Sequence, residues 1–364
     1  SLSAEEALTS AKIISYAAND QFARLQAADR LSLPDVLLAL GITDSDEIVK
    51  LELANTEGQT VVLELSAIVE NDNKWVTPFE GNSKPLRLHN PDTPLWSQYL
   101  KDENTVYAQI DEITDSDDIR FAEFAVNIVA AAEQHNAKLV IDLRNNFGGS
   151  GNLNRSLILA IIQSEQLNQY GRTYILIGRR TFSAAQLLAN TLEAYSRVLF
   201  VGEPTGARPD HYGDAEKSQL KNSGITLRVS SLHWSSFFSN DSRDALNPDI
   251  PIAWTSTDYF NGLDPALDSV VQFEGDFESL VQDAFTRDDQ YQVGRHLLNA
   301  RLFPDTANQS ITSTILAVSN NFLELGNVET ANLVLRYGLF FHPENASLEA
   351  SLDNIQKSSV NAMP

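Results

Sequence analysis

The sequence predicts a mixed α/β protein built around a three-layer core with parallel strands. Three observations predict this class: strand and helix patterns alternate from Thr105 onward, the run Lys138 to Leu143 is almost continuously apolar, and only helical patterns follow Phe277. A continuous apolar run is typical of a strand that is buried on both faces. Alternating strands and helices favour a parallel sheet that helices cover.

The composition restricts the classes of function. The chain has 364 residues, 43% of them hydrophobic and 21% charged, as in a globular protein of two or three domains. Its formal net charge of −23 repels nucleic acid and anionic lipid, and we interpret it as an adaptation for solubility or salt. The absence of cysteine excludes disulfides, thiolate nucleophiles and cysteine-bound zinc.

Residues 1–45 are predicted to form an N-terminal helical segment. Ser3 and Glu6 have the spacing of a capping box, and helical periodicity continues from there to about Leu31. Leu33-Pro34 interrupts this pattern, and a second, short helix is expected directly after it.

Residues 46–94 are predicted to form a small β-hairpin region and a linker. Apolar and polar residues alternate over 49–53 and 61–65, on either side of a turn at 55–58. The stretch 71–94 is rich in Asn, Pro and Asp, which is typical of an ordered loop.

Residues 95–276 are predicted to form the α/β core. The predicted strands are 106–110, 138–143, 174–177 and 198–201. The predicted helices are 119–134, with Asp115, Asp117 or Asp118 at its start, then 153–163 and 184–195. A hairpin with strands 218–220 and 225–229 is expected to follow them.

Residues 277–364 are predicted to be a helical appendage. Gly326, Ala331 and Pro343 fall at the spacing of one tetratricopeptide-like helical pair. Stable arrays need about three repeats. A packed helical region is therefore favoured over a peptide-binding array.

Ser183 is the strongest candidate for a catalytic residue. It lies on a predicted strand-to-helix turn, where backbone N–H groups and the helix dipole favour negative charge. This position suits a nucleophile and its oxyanion. A serine that merely caps the helix is the structural alternative.

Three loops are expected to meet beside Ser183. The helix that follows it carries the chain roughly 20 Å away, and the strand 197–203 returns it by roughly 22 Å. The segment 204–214 should therefore arrive next to Ser183. The loop 144–151 leaves the carboxyl edge of the neighbouring strand, which is the edge where open α/β sheets bind ligands.

A serine hydroxyl needs a base to be nucleophilic at neutral pH. His211 is the preferred base because the ordinary pKa of imidazole lies near neutrality, and Glu203, Tyr212 and Asp214 are the other candidates. Arg208 cannot serve as base, since its guanidinium group stays protonated. Arg208, Tyr212 and Asp214 are instead candidates for binding the substrate, Arg208 through a substrate carboxylate.

The oxyanion is expected to bind the N–H groups of Gly148 or Gly149 and of Ala184. Each of these features also has a structural explanation when taken alone. Paired glycines are typical of a tight turn, and Asp142 in an apolar strand suits an ion pair with Arg144. Their convergence at one edge of the sheet favours a site.

Three motifs occur in the order 140–149, 180–185 and 201–205, and together they resemble the S41 peptidases. These are the tail-specific or C-terminal processing proteases, with the tricorn core as a relative. The resemblance covers about Leu95 to Gln272. It implies a crotonase-like ββα core and serine peptidase activity without metal or cofactor, with Ser183 as nucleophile.

The chain departs from the family pattern at the general base. The processing proteases carry a lysine 25 residues after the serine, and here that position holds Arg208. A Ser-Lys dyad is therefore excluded, and His211 or another residue supplies the base, or peptidase activity has been lost. Tricorn-type relatives use an upstream histidine, which makes His89 a second candidate. The hairpin region 46–68 replaces a PDZ domain and is too short to be one.

Three functions remain open from the sequence. The first is an S41-type serine peptidase that cleaves peptides or proteins, and the second is an inactive protein of the same fold that holds a peptide or apolar ligand. The third is an interaction protein that recruits partners through the helices after Phe277. The lack of cysteine favours an exported protein, periplasmic, envelope-bound or extracellular, and the start at Ser1 predicts a processed or trimmed N-terminus. No apolar run approaches membrane-spanning length.

Overall fold

The computed structural model describes residues 2–15, 17–55, 57–68, 79, 84–116, 118–235, 241–273, 277–302 and 311–361. The helices are α1 (Ala4–Lys12), α2 (Asp20–Arg30), α3 (Pro34–Ala39), α4 (Phe121–His135), α5 (Asn154–Gln163), α6 (Ala184–Tyr195), α7 (Ser256–Phe260), α8 (Pro265–Gln272), α9 (Phe277–Thr286), α10 (Gln290–Leu302), α11 (Ile311–Glu324), α12 (Val328–Phe341) and α13 (Ala346–Asn361). The strands are β1 (Ile48–Ala54), β2 (Thr60–Ser66), β3 (Leu95–Leu100), β4 (Thr105–Ile110), β5 (Lys138–Asp142), β6 (Thr173–Ile177), β7 (Leu199–Gly202), β8 (His211–Gln219), β9 (Thr226–Trp234) and β10 (Ile250–Pro251). Half of the predicted loop 71–94 lies outside the described residues.

A six-stranded sheet forms the centre of the protein, in the order β10-β7-β6-β5-β4-β3. Every neighbouring pair is parallel except β3 and β4, which are antiparallel. The helices α4, α5 and α6 connect β4, β5, β6 and β7 in turn, so the strands that alternate with helices in the sequence also neighbour each other in space. The mixed α/β class with a mainly parallel sheet is confirmed.

Both faces of the sheet are covered, which explains the continuous apolar runs. Ile141 and Ile175 belong to the cluster that packs under α4, α5 and α6. Val140 and Tyr174, their neighbours along the strands, belong to the cluster on the opposite face, which contains Leu267 of α8. Successive strand residues point to opposite faces, so strands covered on both faces are apolar at most of their positions.

The N-terminal region contains two helices where the sequence predicts one long helix. The capping box of Ser3 with Glu6 is present, but α1 ends at Lys12 and α2 begins after the cap residue Asn19. The side-chain amide of Asn19 also donates to the backbone carbonyls of Thr205 and Asp244, at 3.0 and 2.8 Å. These tertiary hydrogen bonds, which helical periodicity does not reveal, fix the start of α2.

Two separate hairpins extend from the core. The strands β1 and β2 pair as the alternation predicts, and most of their residues are exposed. The strands β8 and β9 are longer than predicted, because β8 already begins at His211, which pairs with Trp234. The polar stretch 213–219 is mostly exposed on β8, so it lacks the apolar alternation that marks a half-buried strand.

The helices α9 to α13 pack around an apolar cluster of their own, so the helical interpretation of this region is confirmed. Gly338 of α12 lies against Ile315 of α11 and Leu348 of α13, where a β-carbon would come within 2.8 and 2.9 Å of their side chains. This close approach requires glycine. None of the described helices has the length and apolar character needed to cross a bilayer.

A buried ion pair joins α10 to the sheet. The carboxylate of Asp249 accepts hydrogen bonds from Arg295 Nη1, at 2.7 and 2.9 Å, and from the backbone N–H of Phe200, at 2.7 Å. Burial alone would raise the pKa of Asp249, but the charge of Arg295, the ring of His296 at 3.1 Å and the N–H of Phe200 lower it to about 2.

Asp249→Asn should therefore destabilise the protein strongly, because it leaves Arg295 buried without this counter-charge. We expect the free energy of unfolding at pH 7 to fall by about 3–5 kcal/mol. Wild type should lose the contribution of Asp249 as the pH falls from about 4 toward 2, since the lowered pKa stabilises only while the carboxyl is ionised. Urea unfolding at pH 7 and between pH 5 and 2 measures both effects. Asp353→Asn, on the exposed side of α13, is the matched control, and equal losses in the two variants would contradict the account.

Candidate active site

Ser183 lies on the turn between β6 and α6, and this turn is tied to the loop that follows β5. The hydroxyl of Thr181 donates to the carbonyl of Leu143 at 2.9 Å and accepts from the N–H of Gly178 at 3.0 Å. The N–H of Phe182 donates to the carbonyl of Asn146 at 3.0 Å. These bonds place Ser183 at the carboxyl edge of the parallel strands, as the sequence predicts.

The backbone of Ser183 has φ 53° and ψ −122°, a conformation that residues with a side chain rarely adopt. Such conformations cost about 1–3 kcal/mol and cluster at active sites. Ser183 occupies the N-cap position of α6, yet its side chain makes no capping hydrogen bond. Among the residues described, Ser183 Oγ has no hydrogen-bond partner. The capping alternative therefore does not explain this serine.

Two glycines allow close packing of the loop after β5, Gly148 against Ser183 and Gly149 against Ile113. A β-carbon on Gly148, which has φ 120°, would lie 2.7 Å from Ser183 Cβ and 3.1 Å from Ser183 Oγ. On Gly149, which has φ 129°, it would lie 2.3 Å from the carbonyl oxygen of Ile113. Only glycine allows this double approach.

The two glycines differ in whether their backbone N–H groups have an acceptor. Gly148 N–H donates to the side-chain oxygen of Asn146 at 2.7 Å, so it is already engaged. Within the described ranges, no acceptor takes the N–H of Gly149, and the N–H of Ala184 is one of the first in α6, which lack an intrahelical partner. Gly149 and Ala184 are thus the donors available for an oxyanion.

His211 lies at the start of β8 and is only 4% exposed. Its Nδ1 is 3.1 Å from the carbonyl oxygen of Arg208. Because a carbonyl can only accept, Nδ1 carries the proton of the neutral ring and Nε2 keeps its lone pair. Nε2 is buried, and no described residue hydrogen-bonds to it. Burial lowers the pKa of His211, although the carbonyl of Arg208 opposes the shift, so the ring is neutral at pH 7.

The structure places the His211 ring beside Phe182, and no hydrogen bond joins His211 to Ser183. The ring of Phe182, the residue before Ser183, has its centroid 6.2 Å from that of His211. The side-chain amide of Asn190 on α6 donates to the carbonyl of Pro209 at 3.0 Å and holds the returning segment against this helix. Catalytic hydrogen bonds are often long before substrate binds.

The remaining candidate bases and binding residues have other partners. Arg208 pairs with Asp244 at 2.9 Å, and Asp214 accepts a hydrogen bond from the indole N–H of Trp234 at 2.6 Å. Tyr212 is 70% exposed on the hairpin. These contacts support the hairpin and the loop 241–247 rather than the surroundings of Ser183.

Glu203 and His89 also lie in other surroundings. Glu203 pairs with Arg179 at 2.6 Å. His89 is exposed, and its Nε2 lies 2.8 Å from the carbonyl oxygen of Lys84. Neither is recorded in contact with Ser183.

Sequence reasoning missed a set of buried amides around the turn. Asn154 donates to the carbonyl of Ala184 at 2.8 Å, and Gln186 donates to the side chain of Asn190 at 2.7 Å. The side-chain oxygens of Asn154 and Gln186 are buried without a partner among the described residues. Polar residues at core-facing positions of predicted helices were the available signal. In the part of the chain that the structure describes, no group of three or more His, Asp or Glu side chains could hold a metal ion.

No protein-family model and no curated protein match the chain. Among solved structures, mature CPAF in complex with lactacystin is 14% identical with a TM-score of 0.42, over 62% of this chain and 67% of that one. The photosystem II D1 C-terminal processing protease is 15% identical with a TM-score of 0.35, over 65% and 63%. A candidate peptidase from Parabacteroides merdae is 18% identical with a TM-score of 0.37, over 50% and 66%.

The chain covers slightly less than two thirds of the D1 processing protease and of the Parabacteroides protein. A candidate S41 protease from Bacteroides fragilis is 13% identical with a TM-score of 0.36, over 62% of this chain and 65% of that one. Identities below 20% and TM-scores below 0.5 do not transfer an activity. The function must therefore follow from the residues of this chain.

Gly148→Ala should destabilise the protein more than Gly41→Ala. Both glycines have positive φ, so both substitutions introduce backbone strain of about 1 kcal/mol or more. Nothing lies within 4 Å of a β-carbon on Gly41, whereas one on Gly148 meets Ser183 and adds an overpacking cost of about 1–3 kcal/mol. Urea unfolding of both variants measures the difference. Losses of equal size would show that Gly148 does not pack against Ser183.

Proposed function

We propose that this protein is a serine hydrolase of S41 type that cleaves peptide bonds through an acyl-enzyme on Ser183. The observation that carries the proposal is the strained, non-capping conformation of Ser183 at the start of α6, with Gly148 packed against it. Nucleophilic serines on strand-to-helix turns expose their hydroxyl in this way. A capping serine has no need of such a conformation.

Each reacting group has a role that its surroundings support. Ser183 Oγ attacks the carbonyl carbon of the scissile bond while His211 Nε2 takes its proton. The carbonyl oxygen becomes an oxyanion, to which the N–H groups of Gly149 and Ala184 donate. The tetrahedral intermediate then expels the amine, which receives the proton from His211. Water repeats the sequence on the acyl-enzyme and releases the acid.

The lone pair of His211 Nε2 is the feature that suits it to accept this proton. The carbonyl of Arg208 fixes the tautomer, and burial keeps the imidazole neutral. The hydroxyl of Ser183 reaches alternative positions by rotation about a single bond, Cα–Cβ. Contact between the two groups on substrate binding completes the proton path. Arg208 thus acts through its backbone carbonyl, although in the sequence it stands where the family carries its lysine.

The finer expectations of the sequence belong to the same proposal. They are a crotonase-like arrangement of the core, a tetratricopeptide-like packing of α11 and α12, and a location outside the cytoplasm. The close approach of Gly338 to Ile315 supports the packing of these two helices as a pair. The four predicted segments 1–45, 46–94, 95–276 and 277–364 remain predictions.

The second candidate function is an inactive protein of the same fold that holds a peptide or an apolar ligand in the crevice. The observation in its favour is that Ser183 Oγ and His211 Nε2 make no hydrogen bond to each other. The replacement of the family lysine by Arg208 points the same way. The two functions differ in the reactivity of Ser183.

A fluorophosphonate probe should label wild type and should not label Ser183→Ala. The reagent forms a covalent bond only with an activated serine, so labelling reports the nucleophile directly. Ser3→Ala is the matched control, because Ser3 is also at a helix N-terminus but accepts a capping hydrogen bond from Glu6 N–H. Labelling is measured by in-gel fluorescence and by intact mass. Wild-type protein that stays unlabelled from pH 6 to pH 9 would support the inactive alternative instead.

His211→Asn should lower the labelling rate at pH 7.5 by about 100-fold or more, since general base catalysis contributes about 10²–10⁴-fold. In wild type the rate should fall only below pH 6.5, because burial lowers the pKa of His211 from this ordinary value. The base loses its lone pair as the pH falls through the lowered pKa. This acid limb should be absent in His211→Asn. His89→Asn is the control and should keep both rate and limb. If His89→Asn loses the rate and His211→Asn keeps it, the assignment of the base is wrong.

A further inference from the structure

A cavity of about 230 Å³ opens at the carboxyl ends of β6 and β7, where Ile177 and Gly202 line it. Its walls come from seven separate segments of the chain. The feature that distinguishes it is a set of four guanidinium groups: Arg87, Arg144, Arg179 and Arg180.

Two of the four arginines are neutralised by carboxylates. Arg144 makes paired hydrogen bonds to Asp264, both at 2.7 Å, and also binds Asp142 at 2.6 Å. Arg179 binds Glu203 at 2.6 Å. These ion pairs are part of the framework of the cavity.

Arg87 and Arg180 have no carboxylate partner within the described part of the chain. The guanidinium carbon of Arg87 lies 3.8 Å from the ring centroid of Trp254, and its Nε is buried without a hydrogen bond to any described residue. Arg180 makes one long hydrogen bond, of 3.3 Å, to the side-chain oxygen of Asn145. A planar guanidinium fork that is stacked on an aromatic ring is well placed for an anion.

The charge of the cavity contrasts with that of the chain. The formal net charge of the protein is −23, yet the cavity combines four arginines with two lining carboxylates, Glu203 and Asp264. A cleft with an excess of positive charge attracts anionic ligands. An anion that the rest of the surface repels is therefore attracted here.

The cavity adjoins the candidate active site through one short segment. Arg179 and Arg180 line the cavity, and Ser183 follows Arg180 by three residues. Three residues of extended chain span at most about 11 Å. The Cα atoms of Arg180 and Ser183 therefore lie within about 11 Å of each other, a distance that a few residues of extended peptide can span.

We propose that this cavity binds a carboxylate of the peptide substrate through Arg87 and Arg180. The carboxylate is either the free C-terminus of the peptide or an Asp or Glu side chain near the scissile bond. The identity of the ligand as a peptide rests on the proposed function. The preference for carboxylate rests on the arginines alone.

Calorimetric titration of the full chain carrying Ser183→Ala tests the proposal without turnover. Three acetylated hexapeptides are used: one apolar with a free C-terminus, one apolar and amidated, and one amidated with a single internal Glu. At least one carboxylate peptide should bind about 10- to 100-fold more tightly than the neutral one, as expected for charge-assisted hydrogen bonds. Comparison of the first and third peptides identifies the source of the carboxylate.

Arg87→Gln in the Ser183→Ala background should abolish this preference, and Arg180→Gln should weaken it as an independent variant. Arg336→Gln, on the exposed face of α12, is the matched control and should retain it. Three results would overturn the proposal. The neutral peptide could bind as tightly as both carboxylate peptides, or the preference for carboxylate could survive both Arg87→Gln and Arg180→Gln. The third is that neither carboxylate peptide binds at millimolar concentration. Because the titration needs no reactive serine, its outcome is independent of labelling at Ser183.

Discussion

The fold around the site depends on one constraint, the left-handed backbone of Ser183. The conformation at φ 53° is held because the hydroxyl of Thr181 bridges Leu143 and Gly178, while the carbonyl of Asn146 binds the N–H of Phe182. These bonds join the ends of two neighbouring strands. They offset a backbone cost of about 1–3 kcal/mol. In this conformation the hydroxyl does not cap α6. The N-terminus of α6 can therefore stabilise a negative charge that develops during the reaction.

A buried network of ion pairs fixes the start of the loop that follows β5. Arg144 binds both Asp142 and Asp264, and Asp264 lies at the start of α8. Asp142 also accepts a hydrogen bond from Tyr107 at 2.7 Å. Breaking such a network would leave a buried charge without a partner, which is costly. The network, which we call the clamp, therefore holds the end of β5 in place. The loop that carries Gly148 and Gly149 begins at this clamp. Its approach to Ser183 is thus a consequence of ion pairs that lie outside the turn carrying Ser183.

The sequence was sufficient for the parts of the fold that burial determines. The strands β4 to β7 are recognisable because both of their faces are covered, and the ion pair of Asp142 with Arg144 follows from a carboxylate within an apolar run. Asp264 could not be foreseen, since it lies 120 residues further along the chain. The position of His211 on a strand was also hidden, because the rest of β8 is polar and exposed. The engagement of the Gly148 N–H by Asn146 depends on a local turn that residue identity alone does not specify.

The central claim is that Ser183, His211 and two backbone N–H groups act on one tetrahedral centre. The most direct measurement is a crystal structure of the protein after reaction with a peptidyl phosphonate. The account predicts a bond from Ser183 Oγ to phosphorus, a phosphonyl oxygen about 2.7–3.1 Å from the N atoms of Gly149 and Ala184, and His211 Nε2 within hydrogen-bond distance of Ser183 Oγ. An adduct on another residue, or a phosphonyl oxygen directed into solvent with His211 still unpartnered, would contradict it.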